Sequence, residues 1–162
     1  MMPNNFTHKS QEAIQMAHGI AVEHGQQALE PIHLLAALLE QDDGVVGAVI
    51  DKVTSARARL RGEVDKILDG LPHTPGPVPQ GGVAQIYMSQ QMADVLSLAH
   101  KRAKSFSDEF ISTEHLLLGL LGNKAIARLL AGYEIVEEKI MAALKEIRGT
   151  QRVDSQEPEG RY

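Results

Sequence analysis

The sequence predicts an all-α fold built by pseudo-twofold duplication of a four-helix unit, with about eight helices in one domain. Three observations predict it. The chain repeats itself: sliding it by 82 residues sets Phe6 on Met88, Ile14 on Leu96, Ala17 on Ala99, Leu29 on Ile111 and His33 on His115 without a gap. Apolar residues recur at three- and four-residue steps, the period of an amphipathic helix. Composition agrees, with no tryptophan, three Phe and three Tyr, and Ala, Leu, Ile and Val doing the packing, a balance suited to helices rather than sheets.

The elements follow in order. Residues 7–24 carry Ala13, Ile14, Ala17, Ile20 and Ala21 at helical spacing, and Met92, Leu96, Ala99, Ala103 and Phe106 repeat the pattern. Thr7 and Ser89 are the expected N-caps, with Phe6 and Met88 before them placed to fold back as hydrophobic staples. The loops GQQALE and SFSDEF lead to a second helix in each unit, opened by "EPIHLLAALL" at residues 30–39 and "STEHLLLGLL" at 112–121. Pro31 suits a first helical turn and Ser112 a cap. Two further helices per unit are expected, over 44–53 and 56–69, then 124–131 and 134–148, after a two-residue shortening of the repeat. This gives repeat one as 6–70 and repeat two as 88–149. Residues 71–87, with "LPHTPGPVPQGGV", hold too much proline and glycine for a helix and read as a linker. Residues 150–162 read as a flexible tail in which Val153 and Tyr162 are the sizeable apolar groups.

Charge and motifs narrow the function. Sixteen Lys+Arg against 21 Asp+Glu give a net charge of −5, which argues against a nucleic-acid partner. No apolar run approaches the roughly 20 residues of a membrane span, no secretory signal opens the chain, and there is no cysteine, so a cytoplasmic protein off the membrane is expected. His33 and His115 lack the neighbouring ligands that zinc requires, and their equivalence in two copies favours locking a helix start over catalysis. No phosphate-binding glycine loop or nucleophile elbow occurs, so no catalytic residue, metal or cofactor is assigned. The acidic pairs Asp42–Asp43, Asp108–Glu109 and Glu137–Glu138 read as solvated charges. What remains is a surface: Phe6, Tyr87, Met88, Phe106 and Phe110 mark a groove between the repeats, apolar at its floor and acidic at its rim, suited to extended polypeptide or a partner helix.

The duplicated unit with "FTHKSQEAIQMAHGIAVEHGQQALEPIHLLAALL" and "FISTEHLLLGLL" resembles the double Clp N-terminal repeat of Clp ATPases, over about residues 5–149, and "RGTQRVDSQEPE" resembles the segment leading into the first ATPase module in that family's disaggregase branch. The resemblance implies a domain that engages unfolded or aggregated protein and passes it to a homohexameric ring whose absent modules use ATP and magnesium, alongside the DnaK chaperone system. It also implies that substrate engagement falls on Thr7, Asp108 and Glu114, with Arg102 standing where some relatives have leucine. By itself the domain is then expected to be a monomer and not an enzyme. The alternative it implies is an adaptor-docking domain of a Clp protease ATPase subunit.

Overall fold

The computed structural model describes residues 5–41, 43–72, 86–149, 151–156 and 158. Among them eight helices form two similar four-helix sets: α1 (His8–Glu23), α2 (Pro31–Glu40), α3 (Val45–Val53) and α4 (Arg57–Gly70), then α5 (Gln90–Ser105), α6 (Thr113–Leu120), α7 (Lys124–Ala131) and α8 (Glu137–Arg148). The two repeated phrases are the central helices. Every residue of α2 from Pro31 to Leu39 is buried, as is every residue of α6, and the two pack on each other. A helix apolar on all sides must be surrounded. The remaining helices turn apolar stripes inward, Ala13, Ile14, Ala17 and Ala21 from α1 and Met92, Val95, Ala99 and Ala103 from α5.

The helix starts follow the expected chemistry. Thr7 Oγ1 accepts from the Ser10 N–H and Ser89 Oγ from the Met92 N–H. Both central helices carry a histidine at the third position whose ring nitrogen accepts the N–H of the cap residue: Glu30 N–H to His33 Nδ1 and Ser112 N–H to His115 Nδ1, each 2.9 Å. Histidine here does what Glu or Gln does in a capping box. The expected start of α8 at residue 134 shifts to Glu137, because Glu134 takes a positive φ of 63° and Ile135 turns into the core. Helices α5 and α6 approach so closely at Gly119 that a Cβ there would lie 2.5 Å from the Val95 carbonyl.

The staples are replaced by an exchange between repeats. Ala28–Leu29 (β1) pairs in parallel with Tyr87–Met88 (β2), and Phe6 bridges Ile111 in the same sense. Each repeat thus lends the segment before its first helix to the other repeat's loop: Thr7 N–H donates to Ile111 O at 3.0 Å and Ser89 N–H to Leu29 O at 3.2 Å. Phe6 is core, 2% exposed, whereas Met88 is 43% exposed. The expected linker falls mainly on 73–85, outside the described residues. The tail does not leave the domain at once: Val153 is fully buried, since Gly149 at φ 59° turns the chain back along the α5–α6 loop.

Candidate polypeptide-binding site

The site grows from one turn made twice. Helix α5 ends with Ser107 at φ 60°, its N–H bonded to Lys104 O and the Asp108 N–H to Ala103 O. Helix α1 ends identically, with Gly25 at φ 64°, Gly25 N–H to Val22 O and Gln26 N–H to Ala21 O. This double bond is the Schellman ending. In each copy it aims the following side chain, Gln26 or Asp108, at the histidine that locks the next helix.

That histidine's tautomer is set by its partners. A backbone N–H can only donate, so Nδ1 of each ring is the acceptor and Nε2 carries the proton. His33 Nε2–H donates to Gln26 Oε1 at 2.6 Å, and the Gln26 amide donates to Leu68 O at 2.8 Å. His115 Nε2–H donates to Asp108 Oδ2 at 2.8 Å. A carboxylate has no proton to pass on, so its remaining partners must be donors. They are Arg148, bidentate at 2.9 and 2.8 Å, and the Val153 N–H at 3.0 Å. Arg148 also lies 3.3 Å from Glu114 Oε2. The repeat sets Gln26, Ile32 and Leu68 beneath Asp108, Glu114 and Arg148, so one copy is neutral where the other is charged.

Burial shapes both copies. It pushes His33 down to about 4, with Glu30 partly opposing. At Asp108 burial favours the neutral acid, yet hydrogen bonds from His115, Arg148 and Val153 outweigh it and hold the carboxyl down to about 2. Phe106 packs edge-on to the His115 ring, with centroids 5.3 Å apart, and the Arg148 guanidinium lies 5.5 Å from its centroid.

The structure gathers Thr7, Asp108 and Glu114 around this loop but buries all three: Thr7 and Glu114 are fully covered and Asp108 is 7% exposed. Asp108 is thus no solvated charge, and neither it nor Glu114 forms a rim. The open surface beside them is a groove of about 550 Å³ within repeat two, between the end of α5 and α8. Phe106, Met141 and Leu144 line it with the buried Arg148 and with exposed Lys145 and Arg152, a basic rim within one repeat, where an acidic-rimmed groove between the repeats was expected. Between the repeats, α4 and α7 flank a cavity of about 800 Å³ carrying Arg59, Arg128, Glu63 and Glu134, mixed in charge rather than apolar. Arg102 bonds Glu137 and lies 5.9 Å from the Phe106 centroid. Sequence reasoning missed Arg148 and Gln26. Laying the copies over each other held the signal, three neutral-to-charged changes, which the fold joins in one ion cluster beside His115.

Among the described residues no group of three or more His, Asp or Glu side chains is arranged to hold a metal ion, and no helix is long and apolar enough to cross a membrane.

Duplication, central helices and swapped N-terminal segments define the class: the chain belongs to the Clp repeat N-terminal domain family, whose pattern matches residues 5–133. Among particular proteins it is similar to the chaperone protein ClpB of Clostridium tetani, 35% identical over 159 residues, covering 97% of this chain and 18% of that protein. ClpB of Bacillus anthracis is 33% identical over 160 residues, covering 98% of this chain and 18% of that protein. The chain therefore spans about a fifth of the length of these relatives. In fold it is similar to the Hsp104 N-terminal domain from Candida albicans, with a TM-score of 0.82 at 24% identity over 96% of this chain and 99% of that one. The N-terminal domain of the ClpV1 ATPase from E. coli shares the fold at a TM-score of 0.73 and 19% identity, over 91% of this chain and 88% of that one.

Proposed function

We propose that this chain is the polypeptide-engaging N-terminal domain of an ATP-driven protein disaggregase, holding unfolded or aggregated protein in the α5–α8 groove for a ring of ATPase modules. The observation that carries the reading is that groove. It sets apolar Phe106, Met141 and Leu144 against Lys145, Arg148 and Arg152, and the similarity to ClpB chaperones runs through it. An apolar floor takes side chains that folded proteins hide, and a basic rim takes main-chain carbonyls and acidic residues without demanding one sequence. Thr7, Asp108 and Glu114 act in this reading from beneath. Thr7 fixes the start of α1, and the two carboxylates fix Arg148 and through it the groove wall. The domain carries no ATPase chemistry of its own. The longer protein works as a homohexamer with the DnaK system in the cytoplasm, and the isolated domain is a monomer.

Docking of a folded adaptor is the second reading. Its support is fold likeness to domains such as that of ClpD, a caseinolytic protease associated chaperone of Arabidopsis thaliana, with a TM-score of 0.66 at 20% identity.

Titration of fluorescently labelled unfolded casein tests the first reading. A groove of this size predicts a Kd of about micromolar or weaker. Met141→Glu, at the half-buried groove floor, is expected to weaken binding at least about tenfold with the fold intact, and Thr7→Ala to weaken it through a looser α1 start. Binding unchanged by Met141→Glu would overturn the site; binding of folded but not unfolded protein would transfer the reading to adaptor docking.

A further inference from the structure

The charged loop already holds an extended peptide, and it is the chain's own. Gly149 at φ 59° reverses the chain after α8, and Gln151–Gln156 then runs along the α5–α6 loop toward the start of α1. Val153 is fully buried. Its N–H donates to Asp108 Oδ1 at 3.0 Å, and its carbonyl accepts from the Glu109 and Phe110 N–H groups at 2.8 and 3.3 Å. Gln151 O accepts from Arg148 Nη2 at 3.0 Å, and Gln156 O from the His8 N–H at 2.9 Å.

These contacts are of a restricted kind. Apart from one buried aliphatic side chain they engage the main chain, which every polypeptide carries, as in strand-addition modes of peptide recognition. The segment begins beside the proposed groove, whose wall includes Gln151 and Arg152. It contains no helix, and Val153 is its one buried residue. A segment outside the helices, with one buried side chain of its own, belongs to the parts of a fold that open locally before the packed helices do.

We propose that Gln151–Gln156 is a displaceable internal strap seated in a binding site for extended polypeptide, so that strap and unfolded client exclude one another. The site's elements are the Asp108 carboxylate and the Glu109 and Phe110 amides. Its ligand is an extended chain that places an aliphatic residue where Val153 sits, with that residue's N–H and C=O free. This rests on the polypeptide-engaging reading above and adds the occupant that a client must displace. Apparent client affinity then scales with the fraction of time that the strap is away.

Two variants of the full chain test it. Val153→Asp sets a second carboxylate beside Asp108 and favours release. His8→Cys with Gln156→Cys, in a chain without other cysteine, joins the strap's far end to α1 when oxidised and frees it when reduced. Hydrogen exchange at the Glu109 and Phe110 amides reports whether the strap is docked in each. With labelled unfolded casein, Val153→Asp is expected to bind at least about fivefold more tightly than the parent. The oxidised double-cysteine form is expected to bind at least about fivefold more weakly than its reduced form. Equal binding by all forms, with exchange showing the strap docked in one and released in another, would overturn the strap while leaving the polypeptide reading intact. Binding by none would overturn that reading and the competition with it.

Discussion

Replacing the charged residues of repeat two with those of repeat one probes how the site is built. Arg148→Leu alone leaves the buried carboxylates of Asp108 and Glu114 without their shared guanidinium. Stripping one member from a buried ion cluster costs about 3–5 kcal/mol. In a domain whose whole stability is about 5–15 kcal/mol, that lowers Tm by roughly 6–20 °C. The triple variant Asp108→Gln, Glu114→Ile, Arg148→Leu removes all three charges and installs the residues that the first copy buries at those positions, Gln26, Ile32 and Leu68. There Gln26 bonds both His33 and the Leu68 carbonyl, and the glutamine that replaces Asp108 can do the same with His115 and the main-chain carbonyl at position 148. A well-packed neutral replacement of a buried ion cluster is neutral or stabilising, so the triple variant is expected within about 1 kcal/mol of the parent. Urea unfolding followed by circular dichroism at pH 7 measures the parent, the three single variants and the triple. A triple variant destabilised by the sum of its three single changes would refute the reasoning, because additivity means that the residues do not act as a unit.

Two further outcomes follow from the core. His33 is held down to about 4 from an ordinary 6.5, so the unfolded chain takes up its proton first. The stability it lends is complete above pH 6.5 and is lost as pH falls toward 4, by at most about 1 kcal/mol per pH unit. The Asp108 contribution persists below that and fades only from about pH 4 toward 2. Thermal melts of His33→Gln between pH 7 and 4 should lose the upper slope, and an unchanged slope would remove His33 as its source. Gly119→Ala forces a Cβ onto the Val95 carbonyl and should cost about 1–3 kcal/mol by urea unfolding, whereas Gly62→Ala, with open space around it on α4, should stabilise slightly.

Helical periodicity and caps were legible because they are local. Thr7, Ser89, Pro31 and Ser112 mark helix starts through bonds within four residues of themselves. Duplication also made α2 and α6 visible as equivalent helices, though not that they pack on each other at the centre. What stayed hidden depends on distant partners. Phe6 looked like a staple, but its choice between its own helix and Ile111 is decided 105 residues away. Asp108 looked solvated because its neighbours in sequence are polar, and nothing local announces Arg148, 40 residues on. Val153 in a polar tail gave no hint that a positive φ at Gly149 would fold it back. The acidic rim failed for the same reason: the acids are turned inward by the Schellman ending of α5 and the helix start at Ser112, leaving Lys145 and Arg152 to face the groove.

Photo-crosslinking of unfolded protein to this domain asks most directly where polypeptide is engaged. A photoreactive residue placed singly at Ala142 and Lys145 samples the α5–α8 groove from α8, and one at Arg59 and Arg128 samples the cavity between the repeats. Crosslinks to unfolded casein concentrated at 142 and 145 are predicted. Crosslinks concentrated at 59 and 128, or spread evenly over all four positions, would contradict a site in the second repeat.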